Sequence, residues 1–204
     1  MEPTLVSIAL GLGLAAACGF RVFVPFLVLG VAVRSGHLEV SPGFAWVGTD
    51  AALIALGVAT LLEISAYYVP WIDNLLDTIA TPTAIVAGIL VTASVVTDTN
   101  PLLRWTLAVL AGGAAATAVQ VATVAGRQLS SVATLGLGNA LVATGEAFGA
   151  FVMAILAVVV PLVAVLLVLL LFAFGIRWFF FRQPRAAGPA GPAGSTGGAG
   201  RPAS

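Results

Sequence analysis

The stretch "AAACGFRVFVPF", Ala15 to Phe26, sets an arginine inside an apolar run, with Gly19 just before it and Pro25 just after. The run extends from Leu5 to Val33. That is longer than the roughly 20 residues that cross a hydrocarbon layer of ~30 Å. Such a run is either strongly tilted or broken, and Gly19 and Pro25 predict a break. At about 1.5 Å per residue, Arg21 stands roughly 24 Å from Leu5 and 18 Å from Val33. An ionised group at that depth costs about 2.5–3.5 kcal/mol on insertion scales. Arg21 therefore calls for a partner inside the protein.

Composition agrees with that reading. The chain has 204 residues, 60% of them hydrophobic and only 8% charged, against about 25% charged in soluble domains. Mean hydropathy is +1.13. These values describe an all-α, polytopic membrane protein. Every basic residue is Arg, and Ala, Gly and Val abound, in keeping with a GC-rich bacterial genome and a bacterial cytoplasmic membrane. Net charge is zero, which gives no footing for nucleic acid. Cys18 is the lone cysteine and has no internal disulfide partner. "MEPT" is acidic and short, so the first run is expected to be a true span rather than a cleaved signal.

The apolar runs predict about six spans: Leu5–Val33, Ala51–Val69, Thr83–Val96 (complete if it starts near Thr78), Leu102–Ala125, and two within Asn139–Phe181 divided at Pro161. One over-long last helix, giving five spans, is the alternative. Residues 1–181 make the bundle. Residues 182–204, rich in Pro, Gly and Ala, make a tail expected to be disordered. Trp46, Tyr67, Tyr68, Trp71, Trp105 and Trp178 fall at span boundaries, as interfacial aromatic residues do. Arg127, Arg177, Arg182 and Arg185 on one side outnumber Arg34 and Arg104 on the other, which predicts cytoplasmic termini.

Three charges lie inside predicted spans: Arg21, Glu63 and Glu146. Glu63 is the expected partner of Arg21, and Glu146 sits among small residues in "GNALVATGEAFG". With Gln120 and Asn139 they form the candidate substrate or ion pathway. In "DNLLD", Asp73 and Asp77 share a helix face, and with Asn74 they form a candidate cation or polar cluster. The bland readings are a structural ion pair and a solvated helix start. No metal centre or cofactor is expected, and no nucleotide, zinc-protease, redox or hydrolase motif is present. A non-enzymatic protein is the expectation.

"GLAAACGFRV" (Gly13–Val22) aligns with "GGAAATAVQV" (Gly112–Val121), setting Arg21 on Gln120. The halves 5–97 and 102–181 then read as two inverted three-helix repeats, an arrangement that puts polar sites at the repeat interface in many transporters.

"GFRVFVP", "SPGFAWVGT" and "VPWIDNLLD" together resemble a bacterial family of small integral membrane proteins catalogued as a domain of unknown function, over roughly residues 8–180. The resemblance implies a polytopic membrane protein with shared polar positions at Arg21, Glu63, Asp73, Asn74, Asp77, Asn139 and Glu146. It implies no substrate. The function expected is a transporter or channel for a small solute or ion. The alternative is a structural or accessory membrane protein whose buried charges only fix helix packing. The expected partners are the lipid bilayer, a small solute or ion, and a second copy in a homo-oligomer.

Overall fold

The computed structural model describes residues 3–97, 99–134 and 138–181; the side chains at 3, 70–77, 174, 176 and 178–181, and the whole 182–204 tail, lie outside the described residues. Among the described residues the chain is all helix, with no strand. The order is α1 (Pro3–Phe20), α2 (Phe23–Arg34), a 3₁₀ segment (Pro42–Gly48), α3 (Asp50–Ala66), α4 (Pro70–Val95), α5 (Pro101–Leu107), a π-helical turn (Ala108–Gly112), α6 (Gly113–Thr134), α7 (Asn139–Val159) and α8 (Pro161–Phe181).

Thr78–Val95, Pro101–Thr134 and Asn139–Val159 are long and apolar enough to cross a membrane. The 3₁₀ segment with α3, bent by 69°, makes a fourth candidate. Thr4–Phe20, Phe23–Arg34 and Pro161–Ala173 are shorter apolar helices. Together they are the helices of a membrane protein.

Local chemistry sets the ends. Asn100 accepts a hydrogen bond from Leu103 N at 2.9 Å, with Pro101 opening α5. Thr49 Oγ1 accepts from Ala52 N at 3.3 Å at the start of α3. Both are N-caps that satisfy amides a helix leaves free. Pro161 opens α8 after a one-residue break at Val160. The expected loop after Ala125 is instead helix as far as Thr134. A Cβ at Gly126 would meet nothing within 4 Å, so no packing contact requires that glycine.

α1 is the axis of the bundle and packs on α4, α6, α7 and α8. Ala15, Ala16, Ala17 and Cys18 are all fully buried. Small residues let neighbouring backbones close in. A Cβ at Gly13 would lie 2.7 Å from Ala157 Cβ and 2.9 Å from Ala164 Cβ; one at Gly19 would lie 2.6 Å from the Ala116 carbonyl oxygen. So Gly19 serves close approach to α6, and the helix breaks two residues later, at Arg21–Val22.

The break is a reversal. Gly149 of α7 lies by Phe20, and Ala157 lies by Gly13, so α7 runs antiparallel to α1. Yet the last turns of α2 share a groove with Ile155, Val158 and Val159. α2 therefore returns toward the end of the bundle where α1 begins. Pro25 falls in the first turn of α2, where its missing N–H is harmless. α3 packs principally on α2 and the 3₁₀ segment. Gly30 meets Val47 and Leu53, and Arg34 pairs with Asp50 at 2.8 Å. The result is an arm (α2, 3₁₀, α3) laid against a core built on α1.

Candidate functional site

Arg21 is the last residue of α1's hydrogen-bond ladder, its N–H donating to the Ala17 carbonyl at 3.1 Å. Its side chain is wholly buried. Nη2 reaches Glu146 Oε2 at 3.2 Å and the Ala143 carbonyl oxygen at 3.0 Å, both on α7. Arg127 Nη1 of α6 reaches the same Glu146 Oε2, also at 3.2 Å. Both guanidiniums lie over the ring of Tyr67, their Cζ atoms 3.8 Å and 4.5 Å from its centroid. One carboxylate and one aromatic ring thus hold two cations. A desolvated cation–π contact contributes about 2 kcal/mol, which offsets part of the mutual repulsion between two buried guanidiniums.

Glu63 takes a different part from the one expected. It is not the ion-pair partner of Arg21. Its Oε1 accepts from Val22 N at 2.7 Å and its Oε2 from Phe23 N at 3.1 Å. Those amides open α2 and have no carbonyl one turn back to bond, because the chain reverses there. A carboxylate on α3 therefore caps α2 across the break, where the helix dipole also favours negative charge. Glu63 thus holds the amide of the residue that follows Arg21, while Glu146 pairs with the Arg21 guanidinium itself.

Of the residues predicted as a pathway, Arg21 and Glu146 meet directly and Glu63 adjoins them. Gln120 is 3% exposed, with its Nε2 lacking a hydrogen-bond partner. Its backbone lies against Gly19, two turns along α6 from Arg127. Asn139 does not reach the cluster. It clasps the α6–α7 connection, Nδ2 donating to Ser131 Oγ at 2.9 Å. It is seven residues, about 10 Å along α7, from Glu146. The cluster accordingly sits nearer the end of the bundle where α3 and α6 finish than its centre. The helix containing Asp73, Asn74 and Asp77 starts at Pro70, but their side chains lie outside the described residues. Among the described residues no group of acidic, His or Cys side chains is placed to hold a metal.

Two members were not foreseen. Arg127 reads as a loop arginine, yet it is 2% exposed. Tyr67 reads as an interfacial anchor, yet it is 5% exposed. Trp46, Trp105 and Tyr68 are exposed as anchors should be. The overlooked signal is spacing. Gln120, Thr123 and Arg127 recur at i, i+3 and i+7, as do Thr60, Glu63 and Tyr67, so each set lines one helix face.

Residues 8–180 match the family model described as Domain of unknown function (DUF4126). The chain belongs to that family. No curated protein and no solved structure matches it. The family match covers all of the arm and the cluster. "GFRVFVP" is the reversal at Arg21, "SPGFAWVGT" the 3₁₀ segment with its Thr49 cap, and "VPWIDNLLD" the start of α4 directly after Tyr68.

Proposed function

We propose that this membrane protein moves a small solute or ion, and that the Arg21–Glu146–Arg127 cluster is its polar centre. The observation that carries the reading is the position of the cluster. It lies at a helix reversal, between an arm that packs mainly on itself and a core built on α1. Broken helices with charged groups at the break are a recurrent way to build a substrate site in transporters, and rocking of one bundle on another opens it to each side. No enzymatic role is proposed. The alignment of 5–97 with 102–181 does not describe inverted halves: α1 and α6 run parallel, Gly88 touching both Ala15 and Ala116 while Gly19 lies by Val119 and Gln120, and the reversal at Arg21 gives the first half four helical runs against three.

The proposal includes an orientation. With α5, the π turn and α6 counted as one run from Pro101 to Thr134, seven helical runs alternate in direction, and the extra reversal at Arg21 puts Pro3 and Phe181 on opposite faces of the membrane. This replaces the expectation of two cytoplasmic termini.

Reconstitution into proteoliposomes tests the function, with acetate, formate, chloride and phosphate as trial solutes. Wild type gives flux above empty liposomes, and Arg21→Gln loses it while remaining monodisperse in detergent. Absence of flux for every solute favours the second reading, a packing role. Arg21 ties α1 to α7 and Glu146 ties both to α6, which is what a purely structural lock would do. In that case Arg21→Gln lowers stability in an SDS titration and has no transport phenotype.

A further inference from the structure

The geometry points to a binding site for a small monocarboxylate at the start of α2, in which Glu63 is the resident occupant and leaves the site by taking up a proton. The inference rests on the transport reading, for which it names the substrate class and the coupled ion.

Two successive amides, Val22 N and Phe23 N, each hold one oxygen of the same carboxylate, at 2.7 Å and 3.1 Å. That is two-point recognition of a planar R–COO⁻ group, and the protein's own side chain demonstrates the fit. The helix that follows is twelve residues long, long enough for its N-terminal dipole to count.

A second observation concerns the neighbouring arginine. Arg21 is wholly buried, and its Nε and Nη1 find no hydrogen-bond partner, although its Nη2 is engaged by α7. A buried guanidinium with two spare N–H groups is costly unless something accepts from them. Arg21 directly precedes Val22 in the chain, and its guanidinium lies over Tyr67, one turn beyond Glu63, so those donors stand within about a turn of the amide pair. Gln120 adds a third buried, unpartnered donor, Nε2, on the facing helix. Thr60 Oγ1, one turn before Glu63, is the spare hydroxyl beside them, and a hydroxyl can also donate. The complementary ligand is therefore rich in acceptors and carries negative charge.

Glu63 makes the site exchangeable. Its carboxylate reaches the amides from another helix, forty residues along the chain, so it can withdraw without unfolding α2. Charge conservation sets the stoichiometry. A second anion cannot join Glu63⁻ in a buried site at reasonable cost. Substrate enters as R–COO⁻, Glu63 departs as the neutral acid, and one proton is taken from solution, leaving the charge of the site unchanged. The titratable and charged groups facing Glu63 are Cys18 on α1 and Arg21 at the break. Tyr67 follows on its own helix, with Arg127 and Glu146 beyond the ring.

The test uses the full chain in maltoside detergent, free of acidic lipid, with acetate and formate as probes. Titration calorimetry in two buffers of different ionisation enthalpy counts protons. Wild type takes up one proton per acetate bound. In Glu63→Ala, formate and acetate bind without proton uptake. They also restore saturably the several degrees of Tm lost by the substitution, while chloride at equal ionic strength does not. Acetate binding to wild type with no proton uptake overturns the inference, as does a folded Glu63→Ala that neither carboxylate stabilises. If Glu63→Ala does not fold, the wild-type proton count decides alone, and no uptake, or no binding, sinks it. A matching signal only in nanodiscs containing phosphatidylserine, absent with free acetate, also contradicts the free-carboxylate site. Binding with proton uptake but no flux in proteoliposomes keeps the site and removes the transport reading.

Discussion

Arg21 is the residue on which the molecule turns. It ends α1, pairs with Glu146 and covers Tyr67. Removing one member of a buried, paired set leaves the rest uncompensated and costs about 3–5 kcal/mol. Glu146→Ala should be the most damaging single change, because it leaves two guanidiniums facing one ring with no shared acceptor. SDS titration in mixed micelles checks this, and a loss no larger than about 1 kcal/mol would contradict the shared ion pair. Arg21→Lys should rescue poorly. An ammonium lacks the planar fork that reaches Ala143 and Glu146 while lying flat on an aromatic ring. Tyr67→Phe keeps that face and should be better tolerated than Tyr67→Leu. Equal losses for the two would show that the ring contributes only bulk.

Elements carry the next level. Glu63 makes two charge-assisted hydrogen bonds to the start of α2, so Glu63→Ala should loosen that helix. Hydrogen exchange should quicken across 23–34 and 50–66, while α1, α4 and α6 keep their protection. Uniform acceleration would mean that the arm has no independent mobility. Gly19→Val is expected to be worse than Gly57→Val. The first would drive a side chain into the Ala116 carbonyl and Val119, whereas Gly57 has open space. Overpacking of this kind costs about 1–3 kcal/mol, readable as a lower Tm, and equal Tm values would contradict the close approach of α1 to α6.

The same level shows what the sequence could reveal. Composition made the all-helical membrane class legible, and Gly19 with Pro25 announced a break in the first run. The direction of the chain after the break was not legible, because it depends on a carboxylate forty residues away. The arginine–glutamate pairing was half legible. Arg21 needed an anion, but only tertiary packing decides between Glu63 and Glu146. Arg127 was missed because "GRQLSS" looks polar enough for a loop, although its spacing from Gln120 and Thr123 continues a buried face.

For the whole molecule, the arm and core meet along the line of Arg21, Glu63, Tyr67 and Glu146. Tyr68 adds a hydroxyl bond to Thr144 at 2.7 Å, and Ser41 N donates to the Ser94 carbonyl at 2.8 Å. These two polar ties are the outer fastenings of the arm. Reporter fusions at Pro3 and Phe181 should report opposite sides of the membrane; agreement between them would remove the reversal at Arg21 or the one at Val160.

The most direct measurement of the central arrangement is a double-mutant cycle on Arg21→Met and Glu146→Leu, read by SDS titration. A buried pair at 3.2 Å predicts that the double variant is more stable than the sum of the singles implies, by roughly 1.5 kcal/mol or more. Additivity within about 0.5 kcal/mol would show that the two charges do not meet and would contradict the site built around them.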